Sequence, residues 1–149
     1  MTFDEIDLVQ RAWSRISLFS NTFVREIYQE LFRLDERLEP MFSLTDDRLI
    51  DKMAQTLNTV LTSLEQLDSL RFIIRHLGER HRQYGVLPVH FDLVKEAMTR
   101  VMACRLGEHF TPALALAWSG AYDEIAAIMI EGLQAEEPCT EGADMDISQ

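Results

Sequence analysis

Cysteine, proline, glycine and positive charge are all scarce in this 149-residue chain: 2 cysteines, 4 prolines, 6 glycines, and 14 lysines plus arginines against 25 acidic residues. Cys104 lies in an apolar stretch and Cys139 in a polar one. They form no CxxC pair, and two unclustered cysteines point to a reducing compartment, so the expected location is the cytoplasm. The 4 histidines show no HExxH spacing, which excludes the usual zinc-binding patterns. A net charge of −11 leaves no basic stripe to release phosphate counterions, so neither nucleic acid nor an anionic membrane surface is an expected partner. The opening Met1-Thr-Phe-Asp-Glu-Ile-Asp7 is acidic and no long apolar run follows it. Neither a secretory leader nor a membrane span is therefore expected. With 47% hydrophobic residues, the chain suits one compact domain able to bury about two-thirds of its unfolded surface.

What is present reads as helix throughout. Thr2-x-x-Glu5 is a capping box opening an apolar stripe, Ile6, Val9, Trp13 and Ile16, that ends near Ser17. A second helix is expected from about Ser20 to Leu34, with Phe23, Ile27, Leu31 and Leu34 inward and Tyr28 and Phe32 beside them. A turn with Pro40 leads to Met41-Phe42. Asp46-Asp47 then supplies first-turn charge for a long helix reaching about Leu64, with the stripe Leu49, Met53, Leu57, Val60, Leu61 and Leu64. After Pro88 a further helix runs to about Leu106, where Gly107 stops it. Thr111-Pro112 opens a last helix through about Leu133. Residues 1–134 form the expected domain, and the acidic, aperiodic residues 135–149 read as a disordered tail. Unequal helices and irregular turns favour an all-α orthogonal packing over a symmetric bundle.

One segment carries chemistry, Arg75-His-Leu-Gly-Glu-Arg-His-Arg-Gln-Tyr-Gly-Val86. Leu70, Ile73 or Ile74, Leu77 and His81 recur three and four residues apart, which puts the imidazole on the inward face of a helix that Gly85 and Pro88 must end. Such a ring can offer a nitrogen to something buried. The plainer alternative is a core histidine welcomed at a helix C-terminus. His76, His90 and His109 read as surface residues.

The pieces "LVQRAWSRI", "IYQELFRLDERLEPMF", "DKMAQTLNTVLTSLEQLDSL", "LGERHRQYGV" and "LGEHFTPALALAWSGAYDEIA" occur in that order. Together they resemble the globins, in particular bacterial single-domain haemoglobins related to the haem domain of flavohaemoglobins. The resemblance spans residue 3 to about 133. It implies the globin fold, six to eight helices around a haem pocket, with haem b as cofactor. It assigns His81 as the iron ligand, its other ring N–H held by a backbone carbonyl. It also puts Phe42 against the porphyrin and the Tyr28 hydroxyl in the distal pocket. Leu49 takes the distal position, Met53 lines the ligand site, Lys52 suits a haem propionate, and Val86 and Phe91 complete the cofactor-binding set.

Two departures bear on function. Relatives typically carry glutamine or histidine where Leu49 falls. The tyrosine and glutamate that strengthen the proximal histidine are replaced by Phe91 and a residue near Leu133. The resemblance therefore implies reversible binding of dioxygen, carbon monoxide or nitric oxide, with weakened peroxidase-like chemistry. The alternatives are a nitric oxide dioxygenase or a nitrite- or peroxide-handling enzyme served by a separate reductase, and a haem-based sensor. A monomer or homodimer is expected.

Overall fold

The computed structural model describes residues 1–42 and 47–135, and every regular element within them is helical. The six α-helices among the described residues are α1 (Phe3–Ile16), α2 (Ser20–Leu34), α3 (Asp47–Leu61), α4 (Leu67–Gln83), α5 (Pro88–Leu106) and α6 (Pro112–Gln134). Short 3-10 turns join several of them, the longest being Glu36–Phe42. The expected Ser43–Asp46 connection and the acidic tail after Ala135, Cys139 included, lie outside the described residues.

Local chemistry explains where the helices begin. Thr2 Oγ1 accepts the Glu5 N–H at 3.1 Å, and the Glu5 carboxylate accepts the Thr2 N–H at 2.7 Å, so two orphan donors are satisfied reciprocally. Thr111 Oγ1 caps α6 by accepting the Leu114 N–H at 3.2 Å, with Pro112 in the first turn.

The end of α3 differs from expectation. It stops at Leu61 rather than near Leu64. The Thr62 hydroxyl and N–H both bond the Asn58 carbonyl, at 2.6 and 3.0 Å, and Ser63 leaves the helical region. Hydroxyls that compete for backbone carbonyls loosen a helix end. Leu64 remains buried, from the following 3-10 turn.

Helix α6 is the central strut, packed on α4, α1 and α5. Among the described residues it is the one helix long and apolar enough to cross a membrane. Its apolarity has a packing reason: three helices cover it, and it buries Ala117, Trp118, Ala121, Ile128 and Leu133 against them. The largest core cluster joins α1, α2, α3, α5 and α6 around Trp13, Phe23, Ile27 and Trp118. Each large side chain of that kind contributes roughly 1.5–3 kcal/mol by leaving water.

Helix α4 stands apart. Its one extensive packing partner is α6, where Ile74, Leu67 and Leu70 join Val60 and Ile128 in a small cluster. On the α4 and α3 surfaces, the apolar residues Leu70, Leu77, Leu49, Met53 and Leu57 are only half-buried. The fully buried residues of α3 are instead Ile50, Ala54, Val60 and Leu61, so the helix has two adjoining apolar stripes, one sunk in the core and one half-open. Helices α3 and α4 thus each carry a half-open apolar stripe.

Candidate functional site

His81 occupies the last turn of α4. Its Nδ1 lies 2.7 Å from the Leu77 carbonyl oxygen, one helical turn earlier. A carbonyl can only accept, so Nδ1 carries the hydrogen and the neutral ring keeps its lone pair on Nε2. Among the described residues nothing bonds Nε2. The ring is half-buried and edge-on to Tyr84 at 6.2 Å between centroids. Its setting is therefore a fixed tautomer with one ring nitrogen available.

The chain then turns back. The His81 carbonyl accepts the N–H groups of Tyr84 and Val86, at 3.0 and 3.2 Å. Gly85 sits between them at φ +81°, the left-handed conformation that terminates helices and that glycine adopts without strain. This reversal brings Val86 beside Phe91 in a small cluster with Ala126 and Leu133. The Tyr122 hydroxyl donates to the Phe91 carbonyl at 2.7 Å and braces α6 against the start of α5. His90, read from the sequence as a surface residue, is half-buried there and its Nδ1 accepts the Leu87 N–H at 2.9 Å. It stands where glutamate or glutamine usually completes a capping box, a positional signal the sequence does carry.

The second group of candidates lies in the main core. Tyr28 on α2 is 9% exposed, and its ring meets Phe42 at 5.3 Å and stacks on Phe32 at 6.2 Å, with Phe32 and Phe42 at 5.7 Å. Leu49 and Met53 pack against the same cluster. The Tyr28 hydroxyl has no hydrogen-bond partner among the described residues. The ring is packed apolarly while the hydroxyl keeps its capacity to donate. Burial pushes its pKa up to about 12, so it remains a donor throughout the physiological range.

Tyr122 is pushed up as well, by burial first and then by the Asp92 and Asp123 carboxylates. A tyrosine whose folded value exceeds its unfolded value of about 10 adds stability that is complete below that pH and is lost as pH rises through the folded value. We therefore expect the urea midpoint of the protein to fall between pH 10 and 12 and to fall less steeply in Tyr28→Phe. Circular dichroism at fixed pH steps checks this, and equal slopes would remove Tyr28 from the linkage.

The structure thus brings Tyr28, Phe42, Leu49 and Met53 together and sets Val86 with Phe91 in a separate cluster. Lys52 is exposed and makes no ion pair among the described residues, and His76 and His109 are exposed too. Phe32 belongs to the aromatic group more directly than its place beside the α2 stripe suggested. Tyr122 was missed, although its place four residues after Trp118 on an apolar helix put it on a packed face. No three His, Cys, Asp or Glu side chains among the described residues gather to hold a metal ion. A metal held by His81 would need its remaining ligands from a prosthetic group, and a flat apolar one suits both the half-buried apolar residues of α3 and α4 and the single imidazole.

Comparison with known proteins gives the same direction. The family model described as Globin matches residues 25–129. The chain is 24% identical over 140 residues to a neuroglobin of Tetraodon nigroviridis, covering 85% of this chain and 88% of that protein. It is 26% identical over 134 residues to an anaerobic nitrite reductase of Oryza sativa subsp. indica, covering 86% and 92%. A neuroglobin of Dissostichus mawsoni is 24% identical over 140 residues, covering 85% and 88%.

Proposed function

Because the chain belongs to the globin family, we propose that it holds haem b through His81 and reversibly binds dioxygen or another diatomic gas. The observation that carries this reading is a pair of polar atoms without hydrogen-bond partners among the described residues, His81 Nε2 at the end of α4 and Tyr28 Oη in the core cluster against which Leu49 and Met53 pack. When bound, haem would supply an iron able to take an imidazole and a gas as ligands. This chain's own residues do the rest. The Leu77 carbonyl fixes the His81 tautomer and orients the ring. Phe42, Leu49, Met53, Val86 and Phe91 would exclude water from the bound group, and the exposed Lys52 would pair with a propionate. Tyr28 donates its proton to a partly charged ligand without releasing it.

The environment of His81 favours binding over peroxide cleavage. Its Nδ1 meets a carbonyl and not a carboxylate. A carbonyl partner leaves less electron density on the imidazole than a carboxylate would, so the ring would push less toward a ligand.

Absorption spectra of the purified protein, reduced and with carbon monoxide, test the reading. We expect an intense near-ultraviolet haem band that sharpens and shifts with the gas. A protein that takes up no haem rejects the proposal. Leu49 gives a further expectation. A water in an apolar pocket with Tyr28 as sole donor keeps too few partners to be held well, so the ferric spectrum should lack the features of a bound water. A fully water-ligated ferric form would remove Leu49 from the pocket.

A second reading has one observation in its favour, the similarity to an anaerobic nitrite reductase. Turnover of nitrite or of nitric oxide would draw electrons from a separate reductase. Consumption that requires a supplied electron donor favours the enzyme; stoichiometric reaction alone favours the gas-binding protein. We assign the chain to the bacterial single-domain branch on its quoted motifs and Tyr28, and place it in the cytoplasm as a monomer or homodimer.

A further inference from the structure

Two glycines meet where α4 crosses α6. A Cβ built on Gly78 would lie 1.9 Å from the Met129 carbonyl oxygen, and one built on Gly132 would lie 1.9 Å from the Arg75 carbonyl oxygen. The contact is reciprocal, each helix pressing backbone against the glycine of the other. Both glycines are buried, Gly78 inside α4 and Gly132 in the last turn of α6, and glycine is a poorer helix former than alanine. Gly120, also on α6, has open space around it, so close approach belongs to this crossing and not to α6 glycines generally.

Resting on the reading of His81 as the haem ligand, we infer that the Gly78–Gly132 crossing is the device that positions His81. Three observations converge on it. Helix α4 has α6 as its one extensive packing partner, so the distance and register of that seam set where α4 lies. Gly78 precedes His81 by three residues, which puts the imidazole about 60° round the helix from the seam, facing neither α6 nor open solvent squarely. The ion pairs across the seam are too exposed to do the same work, and the Arg82 hydrogen bond to the Ala135 carbonyl lies beyond the last residue of α6. Arg71 and Arg75 both reach Glu131, but these side chains are 42–48% exposed, and Arg75 Nε is buried with no hydrogen-bond partner among the described residues. Steric contact between backbones therefore holds α4, with Ile74 and Ile128 packed alongside. A methyl group at either glycine must drive the helices apart, from 1.9 Å toward the 3.4 Å of ordinary contact. That displacement carries the His81 ring with it.

The haem-loaded full chain provides the test, read by thermal melting, haem transfer to an acceptor apoprotein, and the iron–histidine stretching band of the reduced protein. Gly132→Ala and Gly78→Ala should each lower Tm by about 10 °C, speed haem loss about tenfold or more, and shift the band. The double variant should be little worse than the poorer single one, since the first methyl already opens the seam. Gly120→Ala and Glu131→Gln should leave band and haem loss unchanged. If the alanine variants do not fold, Ile128→Val loosens the same seam by one methylene and should still move the band. Ile16→Val, an equal loss in the main core, should not.

A band that is unmoved by Gly132→Ala or Ile128→Val, or moved equally by Ile16→Val, overturns the inference and reduces the crossing to packing. If the unaltered protein takes up no haem, it is the functional reading that falls. The crossing is then judged in the haem-free protein by the ring-nitrogen NMR signals of His81, which Gly132→Ala should move and Gly120→Ala should not.

Discussion

His81→Ala should abolish the haem spectrum while leaving the helices intact. The side chain is half-buried on the last turn of α4, and its sole hydrogen bond among the described residues runs to Leu77 within the same helix. Alanine is a better helix former than histidine, so far-ultraviolet circular dichroism should be unchanged or slightly stronger. The loss falls on the cofactor. No other histidine is placed to substitute: His76 points to solvent beside Glu79, and the His90 Nδ1 caps the start of α5. Without an axial ligand, haem is retained by apolar contacts alone and should pass to an acceptor apoprotein within the time of purification. Free imidazole added to His81→Gly should restore part of the spectrum, because the space vacated is the ring's own. An alanine variant that keeps the pigment with its absorption bands unaltered would overthrow the assignment.

Tyr28→Phe should accelerate dioxygen release by about ten- to a hundredfold, with a much smaller change in the rate of binding. The estimate follows from one hydrogen bond to a partly charged acceptor, roughly 1.5–3 kcal/mol, lost from the bound state only. The substitution is otherwise mild. The ring stays against Phe32 and Phe42, and the hydroxyl that disappears has no protein partner among the described residues to orphan. Stability should therefore change little, since the ring packing is kept and no protein hydrogen bond among the described residues is lost. Carbon monoxide, a poorer acceptor, should respond far less than dioxygen. Stopped-flow release rates for the two gases separate these outcomes, and an unchanged dioxygen off-rate rejects the role given to Tyr28.

The helices were legible wherever a local rule spoke without competition. Thr2 and Glu5 cap each other whatever the rest of the chain does, and Thr111-Pro112 can only begin a helix. His81 was legible for the same reason: it continues a stripe ahead of a glycine that must turn the chain. The α3 helix was harder. Leu49, Met53 and Leu57 alternate with Ile50, Ala54 and Leu61 on two adjoining stripes, and both satisfy a 3.6-residue period. Only docking against α2 decides that Ile50 and Ala54 enter the core and that Leu49 and Met53 stay half-open. The early end of α3 was hidden because hydroxyl back-bonding at Thr62 depends on the helix already being formed.

Sequence alone determined the all-helical character, the family, and the imidazole at position 81, since each depends on a residue's own chemistry and its neighbours within two turns. Tertiary structure decided the rest: which nitrogen of that imidazole is left unshared, that the phenol of α2 has no partner, and that two glycines distant along the chain lock one helix to another. These are properties of distances between segments. They exist only after the helices have docked, because burial and hydrogen-bond satisfaction are sums over neighbours that no single stretch of chain contains.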